Sequence, residues 1–545
     1  MDLLLQQALP IFFLLLTIII FSRKIRAGDG KTGHRQLAPA PGWKLPVIGH
    51  LHHFLTSRQL PHRLLRELAR KHGDMIRLDL GEIQHVLVSS AEAAKEVMRT
   101  HDIKFAQRPS HPSLDKVMYG GIDLIHAPYG DYWRQLRRIA TLELLTAKRV
   151  DSLRRVREAE VRRLVTRITE RQVAAAAAGS TIDLTKMLFN LTYRIISMST
   201  FGDVSKEPEE FMKVAEELVE YAGGFKISFL FPSCGLVQRL FGTTEWLDGV
   251  HKVTDRLMES MIGQHRSKRA LEKQKGTTSE EEEDLLDVLL RVQEDDCTLG
   301  FHLSTDAIKA FLLDIFLAGS ETPATLIEWT MAEMIRNPEV MHKAQSEVRK
   351  VFGERGKVEE SKIHELTYLK LVIKETLRLH TPTPLVLPRE CREECRIFGY
   401  DIPLKTRVLV NVWAISRDPR YWGVEAEKFL PERFLDEKRF HDSKLSFRGT
   451  DFEFLPFGAG RRMCPGMTFG LATVELPLAS LLFHFDWKLP PGVEPSSFNM
   501  DEQFGVTLRR KNHLELIPVV RLAITLCPRF NYLVCSLISS SFATG

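Results

Sequence analysis

Ten residues late in the chain, Phe457-Gly458-Ala459-Gly460-Arg461-Arg462-Met463-Cys464-Pro465-Gly466, have the types and spacing that chemistry requires. A cysteine stands in a glycine-rich loop, with an arginine two residues before it and a phenylalanine seven before. Cysteine ligates a metal only as the thiolate, and a nearby cation or backbone N–H groups aimed at the sulfur lower its pKa. The loop is therefore expected to present one thiolate to an iron. Gly458, Gly460 and Gly466 let the backbone approach a flat cofactor that a Cβ would obstruct. Arg462 offers a planar fork of donors suited to a carboxylate. Phe457 can pack beside the sulfur and keep water from it. A buried cysteine in a glycine-rich turn is the bland alternative, but these five fixed positions arise by accident in about one such chain in ten thousand.

The pattern Phe-x-x-Gly-x-Arg-x-Cys-x-Gly resembles the haem-binding loop of the cytochrome P450 family. The resemblance implies haem b (iron protoporphyrin IX), with Cys464 as the axial ligand of the iron and Arg462 on a haem propionate. Four more motifs follow the family's order. Trp133 and Arg137 lie at i, i+4 on one helix face, like the family's Trp-x-x-x-Arg that reaches the propionates, and Arg389 matches a further propionate contact. Glu375 and Arg378 at i, i+3, with Arg433 in Pro431-Glu432-Arg433-Phe434, match a buried three-member ion network. Its implied role is structural, a fixed geometry beneath the haem.

Ala318-Gly319-Ser320-Glu321-Thr322 lies in an apolar helix that starts near Ser304, where a buried charge needs explaining. The resemblance implies an oxygen-binding groove: Gly319 makes room above the iron, Thr322 hydrogen-bonds the oxygen, and Glu321 helps relay protons. A satisfied Ser/Thr kink is the structural alternative. Pro323 departs from the family, which usually has Thr or Ser there. Proline cannot donate to the carbonyl of Gly319, so that acceptor is left for a water or a substrate hydroxyl.

The elements that position these motifs read as mainly α with small β-sheets. His62 to His72, Ala91 to Arg99 and most of 131 to 350 have helical apolar spacing. Met75 to Ser89 reads as a β-hairpin turning at Gly81-Glu82, and strands are expected at Arg396 to Val410 and near 504–518. With the resemblance, this implies the triangular haem-thiolate fold plus an N-terminal transmembrane anchor. The expected divisions are an anchor over 1–22, a linker and proline-rich hinge over 23–46, a haem domain over 47–521 and a C-terminal extension over 522–545 without recognisable chemistry.

Leu3 to Phe21 is almost wholly apolar and long enough for a thin membrane. Arg23, Lys24 and Arg26 follow it, so the rest of the chain is expected in the cytosol, on a single-pass endoplasmic reticulum protein. Three prolines between Pro39 and Pro46 stiffen the hinge. Asn190-Leu191-Thr192 is a sequon that this topology leaves unmodified. Among 545 residues the net charge is +5, and no basic block suggests nucleic acid. The seven cysteines are odd in number and scattered, which fits reduced thiols rather than a disulfide framework. Cys391 and Cys395 have no second pair at zinc-finger spacing.

The resemblance runs from about Pro39 to Arg521 and is closest to plant microsomal A-type members, as in Leu45-Pro46-Val47-Ile48-Gly49 and Phe105-Ala106-Gln107-Arg108-Pro109. No flavin or dinucleotide motif is present, so electrons are expected from NADPH–cytochrome P450 reductase, with cytochrome b5 as a second donor and membrane lipid as the support. Arg134 and Arg138, which share a neighbouring helix face, are either solvated charge or a docking patch for an acidic reductase. Substrate-facing positions carried over are Leu124, Phe229, Phe311, Phe316, Leu385, Val386 and Val506. Their apolar character suits a hydrophobic molecule, a terpenoid and specifically a diterpene by likeness to grass enzymes around Glu321. The expected reaction is insertion of one oxygen atom from O2. Reductase-independent rearrangement of hydroperoxides and non-catalytic haem or lipid binding are the rival readings, and Glu321-Thr322 speaks against both.

Overall fold

The computed structural model describes residues 35–521 apart from 111, 177–180, 203–207, 224–226, 241–242, 276–282, 296–301, 354–355 and 436–444. The expected anchor, residues 23–34 of the linker and the extension over 522–545 lie outside the described residues. The Thr305–Arg336 helix forms the middle of the fold, and its sequence is apolar nearly all round because it has almost no solvent face. Ser304 starts it, its hydroxyl accepting the Ala307 N–H at 3.1 Å. This central helix packs most extensively on Leu184–Phe201, and also on Met467–His484 and Thr367–Leu379. Thr305–Arg336 and Met467–His484 are both long and apolar enough to cross a membrane, yet they are core helices, mostly buried by protein. Thr192 of the sequon is fully buried in the Leu184–Phe201 helix, its hydroxyl donating to the Phe189 carbonyl at 3.1 Å.

The hairpin forms as the alternation predicts: Met75–Leu80 pairs antiparallel with Ile83–Val88. Arg407–Val410 adds in parallel to Ile83–Val88, and Arg389–Glu390 closes the four-stranded sheet antiparallel to Arg407–Val410. That last short strand delivers Arg389 to the site. The strand expected over Arg396 to Val410 is instead three pieces, Cys395–Ile397, Tyr400–Ile402 and Arg407–Val410. Positive φ at Phe398, Gly399 and Lys405 turns the chain between them. In the tail, Glu515–Val520 lies between Ile182–Asp183 and Phe485–Lys488. Trp329 ties this region to the central helix, donating to the Leu508 carbonyl at 2.7 Å while stacking on His380.

Candidate active site

The cysteine loop ends where the Met467–His484 helix begins, with Gly466 as the residue before its first turn. Cys464 donates its backbone N–H to the Phe457 carbonyl at 3.0 Å, and Met463 donates to Gly460 at 3.0 Å. These bonds fold the loop back on itself and leave the sulfur facing an internal cavity. Burial pushes the Cys464 thiol up, against the pull of the Gly466 N–H and the Arg137 guanidinium. The expectation from the loop was the opposite direction. Burial outweighs both because the cavity that the sulfur faces lies deep inside the protein, so a bound metal ion must displace its proton.

Gly460 has φ +69°, and a Cβ there would lie 2.2 Å from the Met98 carbonyl oxygen and 2.6 Å from Asp102 Oδ1. Asp102 in turn accepts from Arg389 at 3.0 Å and from the Arg461 side chain at 2.9 Å. Gly460→Ala is expected to cost more than the ~1–2 kcal/mol of a left-handed backbone alone, because it displaces Asp102 as well. A denaturant midpoint with haem retention followed in parallel measures it.

Thr305–Arg336 contributes Phe311, Asp314, Ile315, Ala318, Gly319, Thr322, Pro323 and Leu326 to the cavity. Those positions recur at three- and four-residue steps, the face a 3.6-residue helix turns to one side. Thr322 donates its hydroxyl to the Ala318 carbonyl at 2.7 Å, which leaves an oxygen as its acceptor toward the cavity. A Cβ on Gly319 would come 2.8 Å from Ile196 Cδ1, so this glycine also serves close packing on Leu184–Phe201. Glu321 does not line the cavity. Its Oε1 accepts from Arg509 Nε at 2.6 Å and from the Thr507 hydroxyl, while Oε2 has no protein donor among the described residues.

Four guanidiniums line one part of the cavity: Arg108, Arg137, Arg389 and Arg462. Arg462 donates to the carbonyls of Ala106 at 2.8 Å and Leu124 at 3.3 Å, and lies 4.3 Å over the Trp133 ring. Trp133 Nε1 donates to the same Leu124 carbonyl at 3.0 Å. Arg389 Nη2 donates to the Ala459 carbonyl at 2.6 Å, and Arg108 Nη1 to those of Leu387 and Pro388. Burial lowers all four, pushing Arg462 down to about 9, and mutual repulsion adds to it for Arg108 and Arg462. Backbone carbonyls and the acids Asp102 and Asp123 leave this cluster short of negative charge, and desolvated cations call for anions. A porphyrin fits: its two propionates share one edge, a thiol faces the same cavity, and the remaining lining is largely apolar.

The ion network sits behind the cysteine loop. Glu375 and Arg378 are fully buried, with bonds of 2.8 and 2.7 Å between them. Arg433 donates to Glu375 Oε1 at 2.8 Å and Leu430 N–H to the same oxygen at 2.9 Å. Arg378 Nη1 then holds the carbonyls of Ser416 and Ala426. From Phe434, next to Arg433, a chain of ring contacts runs through Phe454 and Phe447 to Phe457, whose carbonyl holds Cys464.

The structure thus brings Cys464, Arg462, Trp133, Arg137, Arg389, Phe457, Gly458, Gly466, Gly319, Thr322, Leu124, Phe311 and Val386 to one cavity. Phe229, Phe316, Leu385 and Val506 do not line it. Phe316 turns away from the cavity face of its helix to pack on Tyr193 and Phe201. Phe229 packs on Tyr221, and Leu385 joins the apolar cluster of Leu87 and Leu409 under the sheet. Val506 lies half-buried outside the cavity, in the loop between Glu502–Gln503 and Arg509–Arg510. Arg108, Ile125, Asp314 and Ile196 line the cavity without having been singled out for it. The phase of the central helix would have found Asp314; Arg108 stands in the Phe105–Pro109 motif, which carries no sign of a cavity, and Ile196 gives no local signal.

Residues 39–516 match the family model described as cytochrome P450. The chain is 49% identical over 511 residues to desmethyl-deoxy-podophyllotoxin synthase of Sinopodophyllum hexandrum, covering 94% of this chain and 97% of that one. It is 45% identical to premnaspirodiene oxygenase of Hyoscyamus muticus, covering 93% and 96%. A zebra fish cytochrome P450 solved with abiraterone shares the fold at a TM-score of 0.68 and 24% identity, covering 85% of this chain and 100% of that one. Motif order, thiol-bearing cavity and these likenesses agree, and the chain belongs to the cytochrome P450 family, as a haem-thiolate monooxygenase that uses haem iron, O2 and electrons delivered by a redox partner.

Proposed function

We propose that the chain inserts one oxygen atom into a hydrophobic terpenoid on the cytosolic face of the endoplasmic reticulum, with electrons from NADPH–cytochrome P450 reductase. The observation that carries the reading is a single cavity in which the Cys464 thiol and the Thr322 hydroxyl share an otherwise largely apolar lining. Bound haem supplies the activation of dioxygen and the oxygen transfer. The chain supplies everything around it. Arg108, Arg137, Arg389 and Arg462 hold the propionate edge, and the Cys464 loop, stiffened by Phe457, holds the ligand sulfur. Leu124, Ile125, Phe311, Ile315 and Val386 exclude water and orient an apolar substrate.

Thr322 Oγ1 and the Gly319 carbonyl, which Pro323 cannot bond, hold a water or a substrate hydroxyl within the groove. Glu321 is a second proton station behind the helix, held by Arg509 and Thr507. Thr322→Ala is expected to leave NADPH consumption near normal while product per NADPH falls roughly tenfold and peroxide rises. That loss is smaller than a dedicated acid's because water can substitute in part. Unchanged coupling in a peroxide and product assay would remove Thr322 from proton delivery.

Exposed Arg134 and Arg138 give the Asp131–Ile139 helix a basic outer face for an acidic reductase. Trp43, Leu55, Leu236 and Leu240 are exposed apolar residues bordering the segments that the Leu51, Leu230 and Val237 cluster brings together, which supports a membrane-facing side beside the expected anchor. The relatives' names range from desmethyl-deoxy-podophyllotoxin to premnaspirodiene, so the substrate is settled by trial, with a diterpene hydrocarbon first. Cells co-expressing the chain and a plant reductase, fed terpenes, phenolics and indoles, are expected to yield a terpenoid one oxygen heavier. Conversion of hydroperoxides without reductase would replace this reading with an isomerase.

A further inference from the structure

The 121–127 segment walls the cavity with Leu124 and Ile125, and the central helix reaches it through one buried acid, Asp314. Asp314 Oδ2 accepts the Ile125 N–H at 2.9 Å. Asp123 Oδ1 accepts the His126 N–H at 2.6 Å and faces the His126 ring Nδ1 at 3.1 Å. That leaves one oxygen on each acid, Asp123 Oδ2 and Asp314 Oδ1, buried without a donor among the described residues. Ligand-type atoms of Asp123, His126 and Asp314 lie within 4.8 Å of one another. Two ionised carboxylates in that space repel and leave two orphaned acceptors, each costly. One proton between them relieves both problems, since a neutral carboxyl donates where an ionised one accepts.

We propose that Asp314 and Asp123 share one proton, and that this acid pair clasps the 121–127 segment over the cavity and makes Asp314 a positioning residue for substrate selection. The proposal rests on reading the cavity as the substrate site. Asp314 is the holder of the proton: burial and the neighbouring Asp123 charge push it well above the usual carboxylate range. Burial works to raise Asp123 too, but the His126 charge and hydrogen bonds hold it below. Other titratable groups face the pair from each neighbouring element. Arg108 stands on the 105–109 segment, Arg462 on the cysteine loop and Tyr132 on the Asp131–Ile139 helix. A raised acid keeps its contribution below its unfolded value and loses it as pH rises through its folded one. The clasp therefore holds in acid and loosens as pH rises through the raised value of Asp314.

Hydrogen exchange of the haem-loaded full chain, corrected for intrinsic rates between about pH 6 and pH 9, tests this. Wild-type peptides covering 121–127 are expected to lose protection selectively as pH rises. Asp314→Asn is expected to stay protected throughout, because its amide donates to Asp123 while its carbonyl accepts the Ile125 N–H. It keeps Arg108 and Arg462, so it separates any effect of those guanidiniums from that of the acid pair. Asp314→Ala is expected to lose protection about ten- to hundredfold at every pH. The ratio of dissociation constants for imidazole and a bulky aryl azole, read from the Soret shift, should change in Asp314→Ala and not in Asp314→Asn. Asn behaving like Ala, or Ala like wild type, overturns the clasp, and so does loss of wild-type protection on adding a chelator, which would put a cation in the proton's place. Lost protection with an unchanged azole ratio overturns the role in selection while leaving monooxygenation untouched.

Discussion

Cys464→Ser is expected to abolish oxygenation and the thiolate signature of the Soret band while the chain still folds. A serine hydroxyl does not ionise at neutral pH and is a poor ligand for iron, whereas a thiol gives up its proton to a bound metal ion. The loop's own bonds, Cys464 N–H to Phe457 and Met463 N–H to Gly460, do not involve the sulfur. The fold around it therefore tolerates the exchange. Changing a residue that merely supports a ligand typically costs ~10–100-fold, so losing the ligand should exceed about 100-fold in product formation. Visible spectra of the ferrous carbon monoxide complex, with turnover and a thermal midpoint in parallel, distinguish lost ligation from lost fold. A serine variant with the wild-type Soret band would mean that another group ligates the iron.

Glu375→Ala is expected to fail in a different way, by unfolding. Glu375 Oε1 alone takes donors from Arg378, Arg433 and the Leu430 backbone. Its removal takes one buried carboxylate from two guanidiniums at once. Breaking one partner out of a buried charge network costs ~3–5 kcal/mol, against a total stability of roughly 5–15 kcal/mol. Arg378 also braces Trp422 at 4.9 Å, which touches Phe434 and Phe454 in the ring chain leading to Phe457. Loss of haem should accompany the drop in denaturant midpoint. Because Glu375 does not line the cavity, any enzyme that stays folded should keep its substrate preference. A full midpoint with lost activity would make the network catalytic rather than structural.

Legibility in the sequence followed the range of the interactions. The cysteine loop could be read because its donors, glycines and sulfur are contiguous, and metal ligation constrains each by type. Glu375 and Arg378 could be paired because one helical turn joins them, and motif order brought in Arg433. Even there the direction of the Cys464 shift was misjudged, since desolvation depends on the whole surrounding fold. The cavity wall was harder. Of the two phenylalanines carried over on the central helix, Phe311 lines the cavity, but Phe316 is turned by the helix to the Tyr193 side. Leu385 and Val386 are neighbours, yet only Val386, in a left-handed turn at φ +42°, enters the cavity. The meeting of Asp123 and Asp314 joins residues far apart in the chain, and nothing local to either announces it.

Mass spectrometry of the product formed with reductase under isotopically heavy dioxygen tests the central claim most directly. One heavy oxygen atom in the product, present with wild type and absent with Cys464→Ser, is the result expected of a thiolate-haem monooxygenase. A product that carries only oxygen from water, or that forms equally without reductase, would contradict it.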